Sequence, residues 1–157
     1  MNAPVTANAA IKPTHSAAST RMRGRLLSAA VLALALVSGS VRADVVTDWN
    51  VIAFDTFKAA NVGGNPLFRA LAIMHVAMSD AINTVQNRYT RYALNVPLNP
   101  AASADAAAVA AARSVLVTLA PSQKAKVDEA YAAALGRVPD GPGKVAGIAI
   151  GEQAARP

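Results

Sequence analysis

From Pro66 to Asn87 the chain reads PLFRALAIMHVAMSDAINTVQN, its longest uninterrupted helical pattern. Leu67, Leu71, Met74, Met78, Ile82 and Val85 recur at steps of three and four, which places them on one face of a 3.6-residue helix. Pro66 suits a first helical position, and Asn65 before it is placed to cap the free N–H groups. The opposite side mixes Arg69, Asp80, Asn83 and Asn87 with Ile73 and Val76. A helix that is apolar on most sides through its middle needs neighbours on several faces. The expected fold is therefore all-α, a small bundle of about five helices around a central helix near residues 66–87.

The other elements follow from periodicity and punctuation. Thr47 or Asp48 is placed to cap a helix running to about Ala60, with Trp49, Ile52, Ala53, Phe57 and Ala60 inward. Trp49 reads as a core anchor with its N–H satisfied at the helix start. Asn61–Asn65 contains Gly63-Gly64 and reads as a turn. Pro97 and Pro100 rule out a continuous helix through residues 88–102, a connection long enough to be unusual. Its Tyr89 and Tyr92, with Arg88 and Arg91, offer an anion site or, as the preferred reading, ring packing and hydroxyl bonds that tie the loop to the helices. Ser103 is expected to cap a third helix to about Ala120, with Asp105 in the first turn. Its stripe is Val109, Ala112, Leu116 and Leu119, and its alanine run over 106–112 suits close approach to another helix. A fourth helix is expected from about Pro121 to Leu135, stopped by Gly136. A fifth is expected after a cap at Asp140, with Pro142 in its first turn. Gly143, Gly147 and Gly151 share one face of it, open to a neighbouring backbone. No stretch alternates with the period of two that marks a half-buried strand.

The charge needs to be located before it is interpreted. The 157 residues, enough for one domain, carry a formal +6. Lys12, Arg21, Arg23, Arg25 and Arg42 lie in residues 1–43, which contain no acid. That leaves ten of the fifteen basic residues and all nine acids in residues 44–157, a net of +1. Nucleic-acid binding loses its main support, and aromatic residues at 4% offer few stacking surfaces. Basic residues, then the apolar run Leu26–Val37, then the small residues ending Val41-Arg42-Ala43, have the order of a signal peptide. Cleavage is expected between Ala43 and Asp44, leaving residues 44–157 as a periplasmic or secreted domain with no stable membrane span. The competing reading is an uncleaved signal anchor or an amphipathic tail. The run is short for a span, and Met22 between Arg21 and Arg23 breaks a twin-arginine pair. The absence of cysteine excludes a disulfide framework, thiol catalysis and Cys-ligated zinc.

Few residues offer chemistry. His15 lies in the leader and His75 on the central helix, and there is no third histidine. A helical metal pair wants ligands at i and i+4, where Ser79 is a poor partner for His75. A Ser79–His75 nucleophile pair has no visible orienting acid or oxyanion site. His75 is read as structural, a buried imidazole bonded to a neighbouring helix or loop. Catalytic, cofactor-binding and metal-ligating residues are each assigned as none.

Several stretches are familiar in combination: DVVTDWNVIAFDTFKAAN, RALAIMHVAMSDAINTV, YTRY, the alanine-rich helix and PDGPGKVAGIAIGE. Over residues 44–154 the chain resembles the N-terminal helical region of bacterial vanadium-dependent haloperoxidase-like proteins, of the type 2 phosphatidic acid phosphatase superfamily. RALAIMHVAMSDAIN and the PDGP turn are the most specific parts. The resemblance implies an exported helical enzyme whose complete form holds vanadate or phosphate, and either oxidises halide with peroxide or hydrolyses phosphate esters. The family's anion site comes from Lys-x6-Arg-Pro, Pro-Ser-Gly-His, and Ser-Arg followed by His-x3-Asp, and these motifs are missing. Before Arg156-Pro157 the lysine position is Ala149, and Pro121-Ser122 continues as Gln123-Lys124. The expectation is a scaffold part, inactive alone and truncated before the catalytic motifs. Vanadate or phosphate is expected only in a full-length relative. Its partner would be the missing C-terminal catalytic part or another subunit, docked on a face around Ile73, Val76 and Ala77. The alternative is a non-enzymatic exported adaptor that binds a partner through the same face.

Overall fold

The computed structural model describes residues 44–156, so the leader, its cleavage site and His15 lie outside the described residues. Those residues form five α-helices and no strand: α1 (Val45–Ala59), α2 (Gly64–Gln86), α3 (Ala104–Leu119), α4 (Lys124–Leu135) and α5 (Pro142–Ala154). The all-α bundle is as expected, with bounds within about four residues of those read from periodicity. Among these residues no single helix is long and apolar enough to cross a membrane.

The caps differ in several places. Asp44, not Thr47 or Asp48, caps α1, its carboxylate accepting from the Val46 N–H at 3.4 Å. Asp48 instead lies in the first turn and pairs with Arg137 at 3.6 Å. Asn65 is not a cap either. α2 starts at Gly64, whose φ of +59° suits glycine, so Asn65 and Pro66 fall inside the first turn. Asp140 pairs with Lys144 at 2.9 Å, while Gly141, at φ +147°, occupies the cap position of α5. Ser103 does cap α3, accepting from the Ala106 N–H at 3.2 Å. Pro121–Gln123 form a 3₁₀ turn that leads into α4 rather than its first α-helical turn.

The middle of the bundle is α3, not α2. α3 packs against all four other helices, and α2 packs chiefly against α1, α3 and α5. Every residue from Ala106 to Ala112 is buried, so the helix is covered on all sides there. Complete coverage at such close range favours alanine, because a methyl group lets neighbouring backbones approach. The closest approach is to α5. A Cβ built on Gly143 would lie 2.9 Å from the Ala101 carbonyl oxygen. One on Gly147 would collide with the Ser103 carbonyl, and one on Gly151 with the Ala107 carbonyl. The three glycines thus seat α5 on the start and middle of α3. Larger anchors close the other side: Trp49, Phe57, Met74, Met78 and Leu116 are all fully buried. On the outside, Arg113 of α3 donates to Asp128 of α4 at 2.8 Å, Lys124 joins the same carboxylate, and the Arg113 guanidinium lies 5.3 Å from the Tyr131 ring centre.

Candidate functional site

The most specific polar construction lies where the end of α2 meets the loop that follows it. Asn87 ends α2 in the left-handed region, at φ 50°, and turns the chain back along the helix. Asp80, Asn83 and Thr84, on the last two turns of α2, then hold the returning chain. The Tyr92 N–H donates to Asp80 Oδ1 at 2.6 Å, and the Ala93 and Leu94 N–H groups donate to Oδ2 at 2.7 and 2.8 Å. The Tyr89 N–H donates to Asn83 Oδ1 at 3.0 Å. Arg91 turns inward and donates to the Val96 carbonyl and to Thr84 Oγ1. The Asn99 N–H donates to the Thr84 carbonyl at 2.9 Å.

Asp80 was expected on the outer side of the helix and is buried instead, with 3% of its surface exposed. Burial opposes its charge. The three backbone N–H bonds and the nearby Arg91 guanidinium outweigh that and hold its carboxyl below the usual carboxylate range. Three successive N–H groups converging on one anion form a backbone nest, filled here by the protein's own carboxylate. The preferred reading of the tyrosines also fails. Tyr89 and Tyr92 are 77% and 84% exposed, so their backbones tie the loop and their rings do not.

His75 is half-buried and bonded to the neighbouring helix α1: its Nε2 lies 3.0 Å from Asn50 Oδ1. Ser79 is exposed, and its Oγ accepts only a long bond from Asn83 Nδ2, at 3.4 Å. Among the described residues no three His, Asp or Glu side chains converge in a way that could hold a metal ion. His75→Ala is expected to lower stability by about 1–3 kcal/mol, from lost packing and an unpaired Asn50. Thermal melts check this. Tight zinc or vanadate binding that disappears in the variant would overturn the structural reading of His75. Trp49 is the fully buried anchor expected, but its Nε1–H has no partner, against the expectation that the helix start would satisfy it.

An apolar face remains open on the α1–α2 pair. Val51 and Phe54 on α1, and Phe68, Ile73 and Val76 on α2, are exposed. Ala77, expected to share this face, is buried at 4% exposure. A shallow groove floored by Phe57, Val62, Ala70 and Ile73 runs beside Leu119 at the end of α3. Single exposed apolar residues are ordinary; five on two adjacent helices leave apolar surface open for contact. No signal in one sequence would have found the Asp80 anchor, since an aspartate near a helix end reads as solvated.

Compared with known protein families, curated proteins and solved structures, the chain has no match.

Proposed function

We propose that residues 44–157 are the exported helical scaffold of a haloperoxidase-like or acid-phosphatase-like enzyme, whose vanadate- or phosphate-binding motifs are carried by a separate part. The reading is supported above all by the stretch RALAIMHVAMSDAIN, the most specific part of the resemblance. Its polar residues have scaffold roles in this fold: His75 bonds to α1, and Asp80 and Asn83 hold the following loop. The exposed face of Val51, Phe54, Phe68, Ile73 and Val76 supplies a surface for the catalytic part. Holding a phosphate-like anion for chemistry needs several Lys, Arg and His donors converging on one point. Here Arg91 is committed to Val96 and Thr84, and His75 to Asn50.

The purified chain is therefore expected to be catalytically silent. Bromide oxidation with vanadate and peroxide, and phosphate release from an aryl phosphate, should both stay at the level of a protein-free blank. Turnover clearly above that blank would refute the scaffold reading. Reading the encoding DNA past the Pro157 codon is the cheaper check, with Pro-Ser-Gly-His the expected finding. The same exposed face favours a second reading, a non-enzymatic adaptor. Absence of those motifs, together with a stable complex formed through Phe54 and Phe68, would support the adaptor instead.

A further inference from the structure

Tyr92 and Tyr89 are the two most exposed large apolar side chains among the described residues. Their rings do nothing to hold the loop, yet their own N–H groups are the ones bound by Asp80 and Asn83. A buried carboxylate and a carboxamide thus fix the main chain at two residues whose rings face water. The anchor therefore fixes the position of the main chain as well as adding to the stability of the fold. Arg91, between the two tyrosines, is part of the anchor. Arg88 is exposed and, among the described residues, makes no ion pair. Residues 81–104 contain no acid.

We propose that Arg88, Tyr89 and Tyr92 form a preformed docking surface for an acidic segment of a protein partner. Tyrosine presents a large, stiff, amphipathic surface and loses little entropy on binding. Tyrosine and arginine dominate the energetics of protein interfaces. A loop already held in place avoids the ordering cost that a free loop would incur. Charge selects the partner, because a cationic, acid-free segment attracts carboxylates and disfavours bases. One unpaired arginine is too little charge for a nucleic acid, whose binding rests on neutralising many phosphates. It is also too little for an anionic membrane, where each base contributes about 1 kcal/mol. The surface does not depend on the enzyme reading.

The test selects short peptides from a displayed random library on the purified chain, after depletion on a Tyr89→Ser/Tyr92→Ser variant. Both rings are exposed, so this variant keeps its fold. The selected peptides should be rich in Asp and Glu. By fluorescence anisotropy, Arg88→Glu should weaken their binding about tenfold or more. Asp80→Asn and Asn83→Ala, with both rings intact, should each weaken it about tenfold by freeing the loop. Far-UV circular dichroism identifies any variant that has lost its helices, and the other positioning variant then carries the test. The proposal is overturned if no selected peptide distinguishes wild type from the tyrosine variant, or if the peptides are neutral or basic. It is equally overturned if vesicles of anionic phospholipid or single-stranded DNA, rather than peptide, bind through the tyrosines. Unchanged affinity in both Asp80→Asn and Asn83→Ala would remove the claim that the loop is preformed.

Discussion

Gly151→Ala is expected to destabilise the protein by about 3 kcal/mol, the upper end of what overpacking a close contact costs. The direction is opposite to that of the same change in an isolated helix, where alanine is better than glycine by about 1 kcal/mol. The added methyl would lie 2.7 Å from both Ala110 Cβ and the Ala111 nitrogen, and closer still to the Ala107 carbonyl oxygen. Two of those three atoms belong to helical backbone and cannot swing aside, so α5 must move off α3. In a domain of this size that loss lowers the melting temperature by about 15 °C. Gly136→Ala is the control. Gly136 has the ordinary helical angles φ −61° and ψ −20°, and its new methyl would meet only carbonyl oxygens at 3.4 Å and beyond. That variant should match or slightly exceed wild type. Equal melting temperatures for Gly151→Ala and wild type would show that α3 and α5 do not pack as closely as described.

This contact was legible in the sequence, and the reason is local. Three glycines at steps of four and an alanine run each announce close approach on their own helix, and they need only be matched to one another. Ser103 was legible for the same reason, as an isolated polar residue before a strong helix former. The central position of α3 was not. Apolar bulk draws attention to Met74, Ile73 and Val76 of α2, whereas complete enclosure favours methyl groups. Ile73 and Val76 are exposed, as expected of the docking face, while Ala106–Ala112 are covered. The caps of α1, α2 and α5 were missed where several cap-forming residues cluster. Spacing alone does not choose Asp44 over Thr47 and Asp48, and Asp140 found a better use with Lys144.

The candidate site was the least legible part, because its partners are separated in sequence and use the backbone. Nothing in YTRYALN announces that three of its N–H groups converge on one carboxylate 12–14 residues earlier. The aromatic residues suggested a packed loop, and a buried acid does the work expected of them. The exchange has a functional consequence. Rings freed from packing remain available for contact, which links the geometry at Asp80 to the surface formed by Arg88, Tyr89 and Tyr92.

Asp80→Ala is expected to cost about 3 kcal/mol, since it removes a buried ionised acceptor of three hydrogen bonds and orphans their donors. Opening the loop lets water reach those donors, so the loss should appear as local release before it appears as global unfolding. Amide hydrogen exchange at Tyr92, Ala93 and Leu94 should accelerate strongly, with little change in the middle of α3. Asp80→Asn retains the shape but turns an NH₂ toward backbone N–H groups, and should fall between alanine and wild type. The pH dependence has a definite sign. The folded-state pKa of Asp80 lies below its unfolded value, so the interaction stabilises the protein above about pH 4, the ordinary aspartate range. The contribution is lost as pH falls through the folded-state value. Wild type should therefore lose stability in acid more steeply than Asp80→Asn, and the two melting curves should converge as pH is lowered. Asp128 and Asp140 are held down in the same direction by Lys124 with Arg113 and by Lys144, but they are titrated in both proteins and cancel in the comparison. Parallel acid profiles, or a loop that stays protected in Asp80→Ala, would show that the carboxylate does not hold residues 92–94.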